Sequence, residues 1–125
     1  MISLGNLDAR RDLTFVSDIV DGFLRAAQSP DEEGKTINLG SGRDVSIGDL
    51  ADKIIELVDR SVEVEVDPKR LRPEKSEVQR LLADNRLAYQ RLGWKPQVGL
   101  TDGLRKTIVW IKDHMDHYQP DRYQV

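Results

Sequence analysis

The stretch Thr36-Ile37-Asn38-Leu39-Gly40-Ser41-Gly42-Arg43-Asp44-Val45-Ser46-Ile47-Gly48-Asp49-Leu50 decides the fold class. Its first four residues read as a compact apolar strand, and Gly40-Ser41-Gly42 as a turn that can take positive φ without Cβ strain. Ser46 to Asp49 has the form of a capping box with Asp in place of Glu or Gln. Behind it Ile47, Leu50, Ala51, Ile54, Ile55 and Val58 recur at three and four residues, the period of an amphipathic helix. A change of hydrophobic period within so short a span predicts alternating strands and helices, an α/β fold.

The same logic extends in both directions. Upstream, Leu13-Thr14-Phe15-Val16 reads as a short strand or extended entry. Ser17 is placed to cap a helix carrying Ile19, Val20, Phe23, Leu24 and Ala27 on one face, which Ser29-Pro30 ends before a polar loop from Asp31 to Lys35. Downstream, Val62, Val64 and Val66 alternate with Glu63 and Glu65, predicting a strand with one buried and one wet face. Asp84 is expected to cap a short helix through Leu87, Ala88 and Leu92, stopped by a left-handed Gly93. Thr101 is expected to cap the last helix, with Leu104, Ile108, Ile111 and Met115 as its stripe. Residues 1–118 read as one region and 119–125 as a polar, fraying tail.

At 125 residues the chain has the length of one domain and can bury roughly two-thirds of its unfolded surface. A net charge of −3 and a pI near 5.4 argue against a general nucleic-acid or anionic-membrane surface, so any anion site is local. The absence of cysteine removes disulfides, zinc knuckles and thiol nucleophiles, and fits a reducing compartment. With no secretory pattern and no apolar run near the roughly 20 residues of a membrane helix, the expected location is the cytoplasm.

Most constellations that invite a chemical reading fail on their spacing. Gly40-Ser41-Gly42 lacks the third glycine of a dinucleotide fingerprint, Val45 standing in its place, and reads as a strand-to-loop turn. His114 and His117 lie near Asp113 and Asp116, but a solvated polar face accounts for them better than a metal site. No serine sits in a Gly-x-Ser-x-Gly elbow. Trp94 and Trp110, flanked by Leu92, Leu100 and Ile111, read as core and interface packing.

Two arginine clusters remain, Arg10-Arg11-Asp12 and the charged hinge from Arg70 to Arg80. Both are placed at strand or loop ends, where side chains can converge on a ligand. The planar fork of arginine suits a diphosphate, and a nearby carboxylate such as Glu77 suits sugar hydroxyls. On residue types alone, ordinary solvated charges paired with Asp12 and Glu74 are the favoured reading.

The wording of the chain adds a resemblance. Gly5-Asn6-Leu7-Asp8-Ala9-Arg10-Arg11-Asp12 with Phe15-Val16-x-Asp18, then Ile37 to Gly42, Arg72-Pro73-Glu74-Lys75-Ser76-Glu77-Val78 and Leu92-Gly93-Trp94-Lys95-Pro96 occur in order. Together they resemble the C-terminal third of the extended short-chain dehydrogenase/reductases, the NAD-dependent nucleotide-sugar epimerases and dehydratases. Residues 5–12 look most like GDP-mannose 4,6-dehydratases, and 70–84 most like the GDP-N-acetylglucosamine 4,6-dehydratases of legionaminic acid synthesis. The implied fold is a mixed α/β substrate-binding lobe without the complete Rossmann domain.

The resemblance also implies roles. Arg11 and Arg72 match the arginines that contact the nucleotide diphosphate. Lys75 stands where some epimerases place an acidic ribose contact, leaving Glu77 as the substitute. Asn6 and Leu7 match the loop that approaches the base. The expected ligand is a GDP-, UDP- or dTDP-linked sugar. The family's NAD-binding glycine loop and catalytic Tyr-x-x-x-Lys pair are not in this sequence: Tyr89 is followed four residues on by Gly93, and Tyr118 by Arg122. The expectation is a chain with no catalytic residues, metal or bound cofactor of its own, inactive alone, in a parent enzyme that uses NAD(P).

The implied partner is the N-terminal Rossmann region. Without it, the 37–39 strand and the helix after Ser17 would lack neighbours, predicting self-association or local disorder near Leu13 to Leu39. A 4,6-dehydratase is the leading reading, a 4-epimerase portion the next. A stand-alone binding or assembly module that has lost its chemistry is the third.

Overall fold

The computed structural model describes residues 1–73 and 76–118, so the expectations for Glu74, Lys75 and the 119–125 tail lie outside the described residues. Two small sheets organise the chain. In the first, β1 (Ile2–Leu4) runs parallel to β4 (Val64–Val66), with Ile2 opposite Val64 and Leu4 opposite Val66. In the second, β2 (Arg10–Asp12) lies between β3 (Asp44–Ser46), antiparallel to it, and β5 (Arg80–Leu81), parallel to it. Around them are α1 (Val16–Ala27), α2 (Ile47–Val58), α3 (Arg86–Leu92) and α4 (Leu100–Asp113). The mixed α/β class expected from the sequence is the one observed.

In the stretch that decided the class, the capping box and the helix behind it are as expected. Ser46 Oγ accepts the Asp49 backbone N–H at 3.0 Å, and α2 begins at the next residue. Residues 36–39, however, form no strand: no ladder partner is found for them among the described residues. The apolar pattern there serves packing instead, because Ile37 and Leu39 lie against the buried cluster of Ala88, Leu92 and Trp94.

Helix starts also move. Phe15, extended at φ −67° and ψ 143°, is the residue before α1, so Ser17 lies inside the helix and caps nothing. Likewise Gly99 precedes α4 and Thr101 falls within it. One carboxylate anchors the approach to α4. Asp18, in the first turn of α1, accepts the backbone N–H groups of Gln97 and Val98 at 3.0 Å each, which fixes where the chain enters α4. At the C-terminus of α3, Gly93 has φ +60° and supplies the left-handed residue as expected.

The buried side of α1 is the side of Asp18 and Gly22, not the apolar stripe. A Cβ on Gly22 would run into the Leu39 side chain and come within 3.2 Å of Trp94 Nε1, so this helix approaches Trp94 through its smallest residue. Of the predicted stripe, Ile19 is half-buried while Val20, Phe23, Leu24 and Ala27 are exposed, Phe23 at 68%. A helix with so large a hydrophobic face turned to water has a surface suited to a partner. In the other sheet Val64 is half-buried, but Val66 remains exposed, so the predicted wet and dry faces of β4 are only partly separated.

Candidate functional site

The site grows from β2, which aims successive side chains to opposite faces. Arg10 and Asp12 share one face and Arg11 has the other. On the first face, Arg10 reaches Asp44 of β3 through Nε at 3.1 Å and Nη2 at 3.0 Å, and Arg80 of β5 reaches the same carboxylate through Nε. Hydrogen bonds from Arg10 and then Arg80 hold the Asp44 carboxyl below the usual carboxylate range. One acidic residue therefore stitches three strands.

Asp12 stitches a loop. Its carboxylate accepts Ser41 N–H at 2.8 Å, Ser41 Oγ–H at 2.5 Å, Gly42 N–H at 3.0 Å and Ala83 N–H at 3.3 Å. Gly42 takes φ +72°, and Gly40 is packed so closely that an added Cβ would collide with Ala83 Cβ and lie 2.8 Å from Asp12 Oδ2. Gly40→Ala is therefore expected to cost about 1–3 kcal/mol of stability by overpacking. Thermal unfolding measures it; a variant as stable as the wild type would show that the loop yields freely.

Arg11 stands alone on its face. Its Nη1 donates to the carbonyls of Arg10 and Val78, both at 2.8 Å, and its Nη2 lies 3.4 Å from Glu77 Oε1. The pair is well covered, with side chains 25% and 11% exposed. Asn6 lies beside the same segment: its Nδ2 is 3.5 Å from Gln79 Oε1, and its Oδ1 accepts the Asp8 N–H at 3.0 Å. Leu7 contributes its backbone, its carbonyl accepting the Gly48 N–H at 2.9 Å at the start of α2.

Arg11, Glu77 and Asn6 thus converge on one segment, 77–79. Arg72 does not join them. It stands exposed beyond the short 3₁₀ turn Pro68–Arg70, and shares no bonded partner with Arg11 among the described residues. Nor does Arg11 pair with Asp12, as the reading of solvated charges would have it; its carboxylate partner is Glu77. The roles of Asp12, Asp18 and Asp44 were missed in the sequence. A glycine loop rich in free N–H groups is a signal that an acceptor is needed, but it does not say which of many acids supplies it.

Asp84 also takes a place beside the one expected. Asn85 precedes α3, and Asp84 accepts the Arg86 N–H at 3.1 Å while its carboxylate pairs with the Arg86 side chain at 2.6 Å. The Arg86 side-chain bonds first, then its backbone N–H, lower the Asp84 pKa to about 2. A carboxyl lowered on folding contributes stability that is full above its ordinary value, near 3.8, and is lost as pH falls through about 2. The stability difference between wild type and Asp84→Asn should therefore be constant at neutral pH, shrink below pH ~4 and be mostly lost by pH ~2. Urea melts across that range check it; a difference unchanged at pH ~2 would sink the assignment.

The other constellations singled out in the sequence are already engaged within the fold. A phosphate in the Gly40–Gly42 loop would have to displace Asp12 from the N–H groups it already holds. Among the described residues no group of three His, Cys, Asp or Glu side chains could hold a metal ion. His114 instead stacks on Trp110, with ring centroids 4.2 Å apart. Trp94 is buried as expected, whereas Trp110 is half-exposed. No helix among the described residues is long and apolar enough to cross a membrane.

Comparison with known proteins places this geometry. A family model described as GDP-mannose 4,6 dehydratase matches residues 1–107. A UDP-glucose 4-epimerase of Mycolicibacterium smegmatis is 37% identical over 103 residues, 82% of this chain and 31% of that protein. The solved structure of an epimerase from Methanothermobacter thermautotrophicus superposes with a TM-score of 0.83 at 31% identity, over 92% of this chain and 34% of that one. Another, the protein MoeE5 in complex with UDP-glucuronic acid and NAD, gives a TM-score of 0.80 at 27% identity over 90% of this chain and 37% of that one. The chain spans about a third of the length of the relatives it matches. A match over most of the sequence and a shared fold together establish that this chain belongs to the GDP-mannose 4,6 dehydratase family, among the nucleotide-sugar epimerases and dehydratases of the extended short-chain dehydrogenase/reductase type.

Proposed function

We propose that residues 1–118 form the nucleotide-sugar-binding portion of an NAD-dependent 4,6-dehydratase, and that this portion has no activity alone. The observation that carries the reading is the setting of Arg11. Two backbone carbonyls hold its guanidinium at the point where the 5–8 loop and the 77–79 segment meet. A cation held in place in this way can take a diphosphate without first losing rotamer freedom, and each charge-assisted hydrogen bond contributes about 1.5–3 kcal/mol.

In this reading Arg11 and Arg72 bind the diphosphate, with Arg72 swinging in from its exposed position. Glu77 accepts from sugar or ribose hydroxyls, and Asn6 and Leu7 lie towards the base. Hydride chemistry at the sugar belongs to NAD bound elsewhere in the parent enzyme, in the cytoplasm. The 4-epimerase reading has its own support, the 37% identity to a UDP-glucose 4-epimerase.

Titrating the labelled chain with GDP, UDP and dTDP, read by NMR, tests the proposal. Association costs roughly 4–15 kcal/mol in lost freedom, so a part of a pocket is expected to bind only at about millimolar level. Shifts at Arg11, Arg72 and Glu77 with one or more nucleotides are the expected result. None with any of the three would remove the binding reading.

A further inference from the structure

We propose that Glu77 is an internal counter-ion of Arg11 which a phosphate group must displace, so that the same carboxylate weakens binding of the diphosphate and is released to the ligand's hydroxyls. This rests on the diphosphate reading of Arg11. The donor count carries it. Both hydrogens of Nη1 are engaged, by the carbonyls of Arg10 and Val78 at 2.8 Å, so only the Nε and Nη2 edge of the guanidinium can grip a phosphate with two parallel bonds. Glu77 lies against one of the two donors of that edge, with Oε1 3.4 Å from Nη2.

The two sets of bonds differ in kind. At 3.4 Å the contact with Glu77 is longer than the roughly 2.7–2.9 Å of a strong charge-assisted bond, whereas the carbonyl contacts are short. Glu77 can therefore leave while the carbonyls keep Arg11 aimed. The carboxylate is also mostly covered, 11% exposed, so solvent screens its repulsion of an incoming phosphate only in part. Its backbone is tied to the site. Val78, the next residue, holds Arg11 by its carbonyl, and Gln79 accepts the Arg10 N–H at 2.7 Å, so Glu77 moves by its side chain and not by loss of the segment.

Inorganic pyrophosphate is the probe, because it offers the charge and no hydroxyl. Glu77→Gln should bind pyrophosphate about three- to tenfold more tightly than wild type, the size expected for removal of one partly screened charge. GDP should gain less, since the variant also replaces a charged hydroxyl acceptor by a weaker amide oxygen. In the wild type, where no variant has to fold, saturating pyrophosphate should shift the Glu77 side-chain carboxyl carbon in ¹³C spectra. Equal or weaker pyrophosphate binding by Glu77→Gln, or a Glu77 carboxyl signal unmoved at saturation, overturns the displacement while leaving Arg11 as the phosphate ligand. If Arg11→Gln binds pyrophosphate and GDP as well as wild type, the diphosphate reading itself fails, and the displacement with it.

Discussion

Trp94→Ala lowers the free energy of unfolding by about 3–5 kcal/mol in urea denaturation, the range for emptying a large aromatic site in a core. Trp94 is 1% exposed and sits against Ala88, Leu92, Ile37 and Leu39, so its removal leaves a space bounded by four other apolar residues. A polar loss adds to the apolar one. The indole Nε1 donates to the Asp18 carbonyl at 2.7 Å, and that acceptor stays buried when the ring is gone. Trp94→Phe separates the two effects: it keeps most of the apolar contact, loses the hydrogen bond, and should cost about 1–3 kcal/mol. An alanine variant within about 1 kcal/mol of wild type would mean that Trp94 is not the centre of the core.

Asp18→Ala is expected to be nearly as damaging, at about 2–5 kcal/mol, because it strips the acceptor from two backbone donors at once. The side chain is buried, and both N–H groups, of Gln97 and Val98, depend on one of its oxygens. Asp18→Asn keeps an oxygen in place and gives up the charge, so it should fall between alanine and wild type. Trp94 and Asp18 form one junction between α1 and the approach to α4, and their effects should not add. A double-mutant cycle should give a coupling of about 0.5–3 kcal/mol, and additivity within a few tenths would show two independent sites.

The sequence was most legible where a local rule decides the outcome. Ser46 caps α2 and Gly93 ends α3 because each needs only its near neighbours. It was least legible where a distant acid intervenes. Asp18 reaches across to residues 97 and 98 ahead of α4, and neither Ser17 nor Thr101 does the capping work its residue type suits. β1 and β4 are only three residues each and pair across the whole first half of the chain, so β1 left no pattern to read. Ile37 and Leu39 alternate as a strand would but pack without a ladder. Of the site, residue type and resemblance pointed to Arg11, Glu77 and Asn6, and the structure brings those three to one segment. Spacing alone did not reveal that Arg11 and Glu77 face each other.

The four bonds received by Asp12 have a kinetic reading as well as a structural one. Ala83 lies far from Ser41 and Gly42 in sequence, yet the three amides end on one carboxylate. None of the three can be freed by a movement of that carboxylate without freeing the others. Local opening of the 40–42 loop and of the segment after β5 is thus a single event, and amide hydrogen exchange at those three positions should share one protection factor rather than three.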